Sequence, residues 1–396
     1  MDRRETRYDV AAACGNLSFF YQSGPSGFPF GVRLALNVSG ASGPGFLRRG
    51  NFYDHIGGDD FSSLQSDRLT KKFGPGAVTA ASVAMTAAAL FGFSISRSFG
   101  LLCFWAVPYG LGAGSVDAAL NNFVALHYSN RHMSWLHCMW GVGATVGPYI
   151  MGYALSGGLG WQSGYRVIGL IQIGLTAVLI FSLPLWKKMG RSISLSRQMA
   201  VDSLPLSPRQ VLRLPGAREA FGCFFAYCAL EQTAGLWGSS YLVLHGNMSA
   251  DRAAGFAALF YLGITVGRAL NGFLAIRYED DTLIRMGEGI LAVGVLLLLI
   301  PGGMWLPVAG LILVGLGCAP IYPSIVHSTP RHFGPENSQA VIGVQMACAY
   351  IGSLLMPPLF GLLANHIGVF LFPYYLLVLL VFMAMLHKKL CGREAK

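Results

Sequence analysis

Charge is what this sequence has least of. Asp, Glu, Lys and Arg make up 12% of its 396 residues, about half the share of an ordinary soluble domain. A soluble fold needs charge to cover its surface, so a water-facing globule is excluded. Paired cysteines are also missing: Cys14, Cys103, Cys138, Cys223, Cys228, Cys318, Cys348 and Cys391 are scattered with no CxxC among them. Most sit in apolar runs, where they read as small core residues rather than disulfides or metal ligands. No zinc spacing, nucleophile elbow or P-loop occurs, and GLGAG at 110–114 lies inside an apolar run with no strand before it. Enzyme chemistry, a metal and a cofactor are therefore not expected. No cleavable signal peptide is visible, because residues 1–13 are polar and charged.

What is present is hydrophobicity, at 54% of residues and a mean hydropathy of +0.52. Apolar runs lie at about 76–96, 99–127, 133–156, 164–186, 217–244, 252–276, 283–301, 303–329, 337–364 and 367–387. Each is about 20 residues or longer, enough to cross ~30 Å of hydrocarbon. In lipid such runs must be helices, because no water is there to satisfy an open backbone. The formal net charge of +10 sits at the ends of these runs and not on a soluble face, so it reports membrane orientation rather than nucleic-acid binding. With the 66–75 loop in the cytoplasm, eighteen Lys and Arg fall inside and three, Arg97, Arg166 and Arg252, fall outside. The positive-inside rule then puts the C-terminus in the cytoplasm.

The halves echo each other. YGLGAGSVDAALNN from Tyr109 and VGLGCAPIYPSIVH from Val314 are offset by 205 residues. Gly143 and Pro148 match Gly352 and Pro357 at an offset of 209. A duplicated unit is a common transporter plan. The basic, proline-bearing 187–216 stretch reads as the linker between halves.

Together these features resemble the major facilitator superfamily. SDRLTKKFG at 66–74 is similar to its loop signature, with Asp67, Arg68, Lys71 and Lys72 matching and Thr70 where Gly is usual. GVGATVGP at 141–148 resembles its fifth-helix motif. YCALEQTAGLWGSSYL at 227–242 and GRALNG at 267–272 resemble the seventh and eighth helices of the fucose-permease-like sugar–proton symporters. The resemblance implies an all-α membrane protein of two bundles, with ten visible spans of an expected twelve. The expected organisation is an anomalous segment at 1–65, a bundle at 66–186, a linker at 187–216, a second bundle at 217–390 and a tail at 391–396. Residues 1–65 hold no spanning run. Residues 14–35 and 51–61 can be encoded so that a one-base shift yields helix-like stretches, which points to a frameshifted remnant of helices 1 and 2. The nucleotides across codons 1–66 test this.

Asp117 stands deep in an apolar run, where a carboxylate is costly and by default functional. Asn121 shares its helical face and Asn122 lies beside it. Glu231 and Gln232 lie mid-run, with Trp237 and Tyr241 angularly near Glu231, a lining suited to a sugar. His137 is a candidate proton carrier, weighed against a packing role. Tyr322 and Gln345 are further lining candidates. Arg268 is expected to close a helix contact on the cytoplasmic side together with the Asp67, Arg68, Lys71 and Lys72 loop, and His127 and His327 to be interfacial. Gly110, Gly112, Gly114, Gly141, Gly143 and Gly147 allow close helix approach. The reading is a monomeric plasma-membrane carrier of a small polar solute and a proton, embedded in the lipid bilayer, with no nucleic-acid partner. The alternatives are a drug–proton antiporter and a membrane protein that transports nothing.

Overall fold

The computed structural model describes residues 62–191 and 206–394, apart from 247, 302 and 304. The frameshift expectation for the first sixty-one residues and residues 192–205 of the linker lie outside the described residues. Every described element is helical.

A helix over 62–73 (α1) meets α2 (Pro75–Ile95) at Gly74, whose φ of 82° suits glycine. There follow α3 (Phe99–His127), α4 (Asn130–Ser156), α5 (Gly160–Arg191) and a single turn, α6 (Pro208–Val211). The second half holds α7 (Ala217–Leu244), α8 (Ala250–Leu274), α9 (Asp280–Leu299), α10 (Trp305–Phe333), α11 (Pro335–His366) and α12 (Phe372–Glu394). The ten long helices coincide with the ten apolar runs. Seven of the helical stretches combine the length and apolarity needed to cross a membrane. Some helices overrun the expected edges: α5 continues to Arg191 and α12 to Glu394.

Local chemistry sets the ends. The Ser98 hydroxyl accepts from the Leu101 amide at 3.3 Å to cap α3. Ser207 and Gln210 form a reciprocal capping box on α6. Glu279, Asp280 and Asp281 open α9, where carboxylates oppose the positive end of the helix dipole. Prolines sit inside α3 (Pro108), α5 (Pro184), α10 (Pro320, Pro323, Pro330) and α11 (Pro357, Pro358). Packed membrane helices tolerate such breaks because neighbouring groups satisfy the freed carbonyls.

α2 packs on α3 and α5 in the first half; in the second, α7 packs on α11 and α12, α9 on α10 and α12, and α8 on α10. α4 leans on α8, and α3 lies against α10 and α11, so these helices form the seam between bundles. Close approach explains two predicted glycines: a Cβ at Gly112 would come within 2.6 Å of the Ser82 carbonyl oxygen and one at Gly141 within 3.0 Å of the Thr265 Cβ, whereas Gly143 faces open space.

The seam is laced at the end that carries the basic loops. The Asn130 amide at the start of α4 donates to Asp280 at 2.6 Å and to Ser324 at 2.9 Å. Asn271 donates to Ser134 at 2.8 Å, and Ser134 to Asn130 at 3.1 Å. His327 bridges Asp280 at 2.8 Å and the Tyr128 carbonyl at 3.0 Å; it is a link between bundles rather than an interfacial anchor. α1 is wedged here too. The Ser63 hydroxyl donates to the Gly114 carbonyl at 3.0 Å, and Gln339 of α11 donates to Ser66 at 3.2 Å.

Candidate substrate and coupling site

Mid-way along the seam, Asp117 of α3 faces α11, and the Tyr350 hydroxyl donates to its Oδ2 at 2.7 Å. Both residues are half-buried. The carboxylate is thus held by one strong charge-assisted bond from the opposite bundle.

One turn closer to the basic end the seam becomes drier. Asn121 is buried, and its Oδ1 lies 3.1 Å from His137 Nε2 on α4. The His137 ring stands edge-on to Tyr322 of α10, centroids 4.5 Å apart, and Tyr322 donates to the Met346 sulfur at 3.3 Å. Asn122 accepts from Ser338 of α11 at 2.6 Å. Gln345 accepts from Thr329 at 3.0 Å.

A buried charged pair lies alongside. Arg268 of α8 is 3% exposed and Glu231 of α7 is 6% exposed; Arg268 Nη2 stands 3.6 Å from Glu231 Oε2. The Tyr227 hydroxyl, one turn before Glu231, donates to the same carboxylate oxygen. Arg268 Nη1 also donates to the His137 carbonyl at 3.3 Å, and its guanidinium lies 4.8 Å from the Trp140 ring centre and 5.8 Å from that of Tyr322. Ion pairing, two aromatic faces and a carbonyl together offset the cost of desolvating an arginine. Arg268 Nε is buried with no hydrogen-bond partner, a spare donor in the centre of the protein.

The structure therefore joins Asn121, His137, Tyr322, Glu231 and Arg268 in one network, with Asp117 one turn along α3 from Asn121. It does not bring Trp237 and Tyr241 to Glu231. Trp237 bonds Pro357, and the Tyr241 hydroxyl donates to the Leu298 carbonyl at 2.9 Å; both fill the core of the second bundle. Gln232 is half-buried. Arg268, grouped in the sequence with the gating loop, belongs to the central network instead. On that loop, Lys71 Nζ pairs with Asp67 at 3.2 Å, and Asp67 accepts from the Leu206 amide at 3.2 Å. Arg68 and Lys72 are exposed, the latter over Phe73. Burial pushes the Asp67 carboxyl above its usual range, a rise that Lys71 and the Leu206 amide oppose. Sequence reasoning missed Tyr350, Tyr227 and Trp140. Only Tyr227 left a signal, its four-residue spacing from Glu231.

Two bundles of long apolar helices around a polar, charge-bearing seam are the architecture of a multi-pass membrane protein. Residues 220–390 match the family model described as Major Facilitator Superfamily, and the chain shares the fold of that superfamily's solved structures. The likeness is thus one of sequence over the second bundle and one of fold along the described residues. The chain is 25% identical over 341 residues to "Bypass of stop codon protein 6" of Saccharomyces cerevisiae, covering 78% of this chain and 68% of that protein. It is 26% identical over 270 residues to an uncharacterized transporter, y4wD, of Sinorhizobium fredii, covering 65% and 66%. The chain thus spans about two thirds of the length of these relatives. Among solved structures, FucP in its outward conformation superposes with a TM-score of 0.72 at 16% identity, covering 96% of this chain and 98% of that one. A second FucP structure, described as the E. coli fucose:proton symporter, gives 0.68 at 15%, with the same coverage.

Proposed function

We propose that this chain is a proton-coupled symporter for a small polar solute of the sugar class, working by alternating access in the plasma membrane as a monomer. Its basic end faces the cytoplasm, as the distribution of Lys and Arg requires. The observation that carries the reading is the Asp117–Tyr350 bond. A carboxylate able to gain and lose a proton sits on one bundle and holds the other. Protonation of Asp117 weakens that hold, and solute hydroxyls compete for the same groups, so proton and solute occupancy together decide when the bundles part. His137, Asn121 and Asn122 line the approach with neutral hydrogen-bonding groups suited to hydroxyls. Glu231 and Arg268 supply a second, charge-balanced element. Tyr322, Gln345 and Gln232 border it, and Asp67, Arg68, Lys71 and Lys72 form the gating loop. The structural relatives described as fucose:proton and proton:xylose symporters support the sugar class.

The test is uptake into proteoliposomes under an imposed pH gradient, with a panel of labelled monosaccharides. Inward accumulation of one sugar, abolished by a protonophore, is expected. Outward movement of lipophilic cations instead, with no sugar uptake, would favour the antiporter reading.

A further inference from the structure

The second bundle holds a cluster that the transport site does not use. Asp281 lies in the first turn of α9 and Glu288 two turns further on the same helix. His387 and Cys391 lie one turn apart on α12, the i, i+4 spacing that points two side chains the same way. The fold brings one ligand atom each of Asp281, His387 and Cys391 within 4.8 Å of one another. His387 is 3% exposed. Its Nε2 stands 3.6 Å from Asp281 Oδ1, and its Nδ1 stands 3.3 Å from Glu288 Oε1. Asp281 Oδ1, Glu288 Oε1 and His387 Nε2 are all buried without a hydrogen-bond partner. Arg331 of α10 takes the other Asp281 oxygen, so Oδ1 is left aimed at the histidine. Asp281 and His387 also border a cleft of about 10 Å³, room for one water or small ion.

Asp281 Oδ1 and His387 Nε2 face one another across 3.6 Å beside the Cys391 thiol, a separation that a shared ion can bridge. The geometry points to a divalent metal site of the zinc class, with Asp281 Oδ1, His387 Nε2 and Cys391 Sγ as ligands. An oxygen, an imidazole nitrogen and a thiolate make the mixed set that zinc accepts in tetrahedral coordination. Glu288 stands on the far side of the imidazole, where its carboxylate would accept a hydrogen bond from Nδ1–H and so leave the Nε2 lone pair for the ion. The charges balance: the ion's two positive charges and that of Arg331 meet the negative charges of Asp281, Glu288 and the Cys391 thiolate. Such an ion ties the last turns of α12 to the first turn of α9, at the end of the second bundle that carries the basic loops. Neither the spacing of cysteines nor that of histidines reveals the site, because the third ligand comes from a helix far away in the chain.

Cobalt(II) is the probe, added to tag-free, chelator-stripped full-length protein in detergent. The expected result is one equivalent bound, with the visible bands of tetrahedral cobalt, a near-ultraviolet thiolate-to-cobalt band, and displacement of both by zinc. Cys391→Ser should lose the near-ultraviolet band. A variant with the other seven cysteines changed to Ser should keep it. His387→Gln should weaken binding by about tenfold or more. Zinc should raise the melting temperature of the wild type and not that of Cys391→Ser, a comparison valid for any variant that remains folded by size-exclusion chromatography. Absence of the cobalt bands in the wild type, or a near-ultraviolet band unchanged in Cys391→Ser, overturns the site and leaves an ion-pair cluster in its place.

Discussion

Tyr350 of α11 reaches across the seam to Asp117 of α3 at 2.7 Å, so a single oxygen–oxygen contact couples a titratable group to the relative position of the two bundles. Asp117→Asn keeps an acceptor for Tyr350 and removes the charge. Proton-driven uptake is then expected to fall at least about tenfold, ~1.4 kcal/mol in coupling, while solute counterflow without a gradient persists. Uptake and counterflow rates measured on the same proteoliposomes check it. Equal loss of both would show that Asp117 binds solute alone.

Glu231 and Arg268 are expected to behave as a unit. Changing Glu231 to Gln leaves the arginine buried and uncompensated, which costs about 3–5 kcal/mol for a buried pair. Replacing both, as Glu231→Gln with Arg268→Met, should recover much of that, because the desolvation penalty goes with the charges. Melting temperatures of the single and double variants in detergent give the coupling energy. Additive losses would mean that the two residues do not share one interaction.

Asp67 gives a pH dependence whose sign follows from its raised carboxyl. The packed arrangement, with Lys71 and the Leu206 amide against it, binds a proton more readily than an exposed aspartate, whose value is about 3.9. Its contribution to packing is therefore full below that value and is lost as pH rises through the raised one. Melting temperature recorded against pH from about 4 to neutrality should fall more steeply in the wild type than in Asp67→Asn. Identical slopes would assign the dependence to other groups.

Much of the fold was legible because lipid imposes a simple rule: long apolar stretches become helices, and the ten long helices lie where those stretches are. Asp117 and Glu231 stood out because a carboxylate in an apolar run is costly. Their partners did not. Helical spacing fixes the angle at which Trp237 and Tyr241 leave α7, but not which neighbour they meet, and the cores of α9 and α11 claimed both. Arg268 was placed with the basic loops by its motif, yet a long side chain near the end of α8 turned inward to the only carboxylate on α7 near mid-membrane. Asn130 and Asp280 stand at the first turns of α4 and α9; that they meet depends on how two bundles lean, which no single run encodes. The first sixty-one residues could be judged only by what they lack, a spanning run.

Gly343 supplies the sharpest test of the closed seam. A Cβ built on it would lie 2.6 Å from the Ser63 carbonyl oxygen of α1 and 3.1 Å from the Ser66 hydroxyl. The first is backbone, so it cannot swing aside, and α1 or α11 must retreat. The same contact line carries the Gln339–Ser66 and Ser63–Gly114 bonds, which lengthen together if the helices separate. Overpacking of this kind typically costs about 1–3 kcal/mol, and only the arrangement in which the bundles meet at the basic end pays it. Gly343→Leu should therefore shift the population toward separation at that end without unfolding the protein. Spin labels at exposed Lys72 and Arg277, on opposite bundles, report the distance by double electron–electron resonance. A longer mean distance in the variant is expected. An unchanged distance distribution, with an unchanged melting temperature, would show that α1 and α11 do not bear on one another in the membrane.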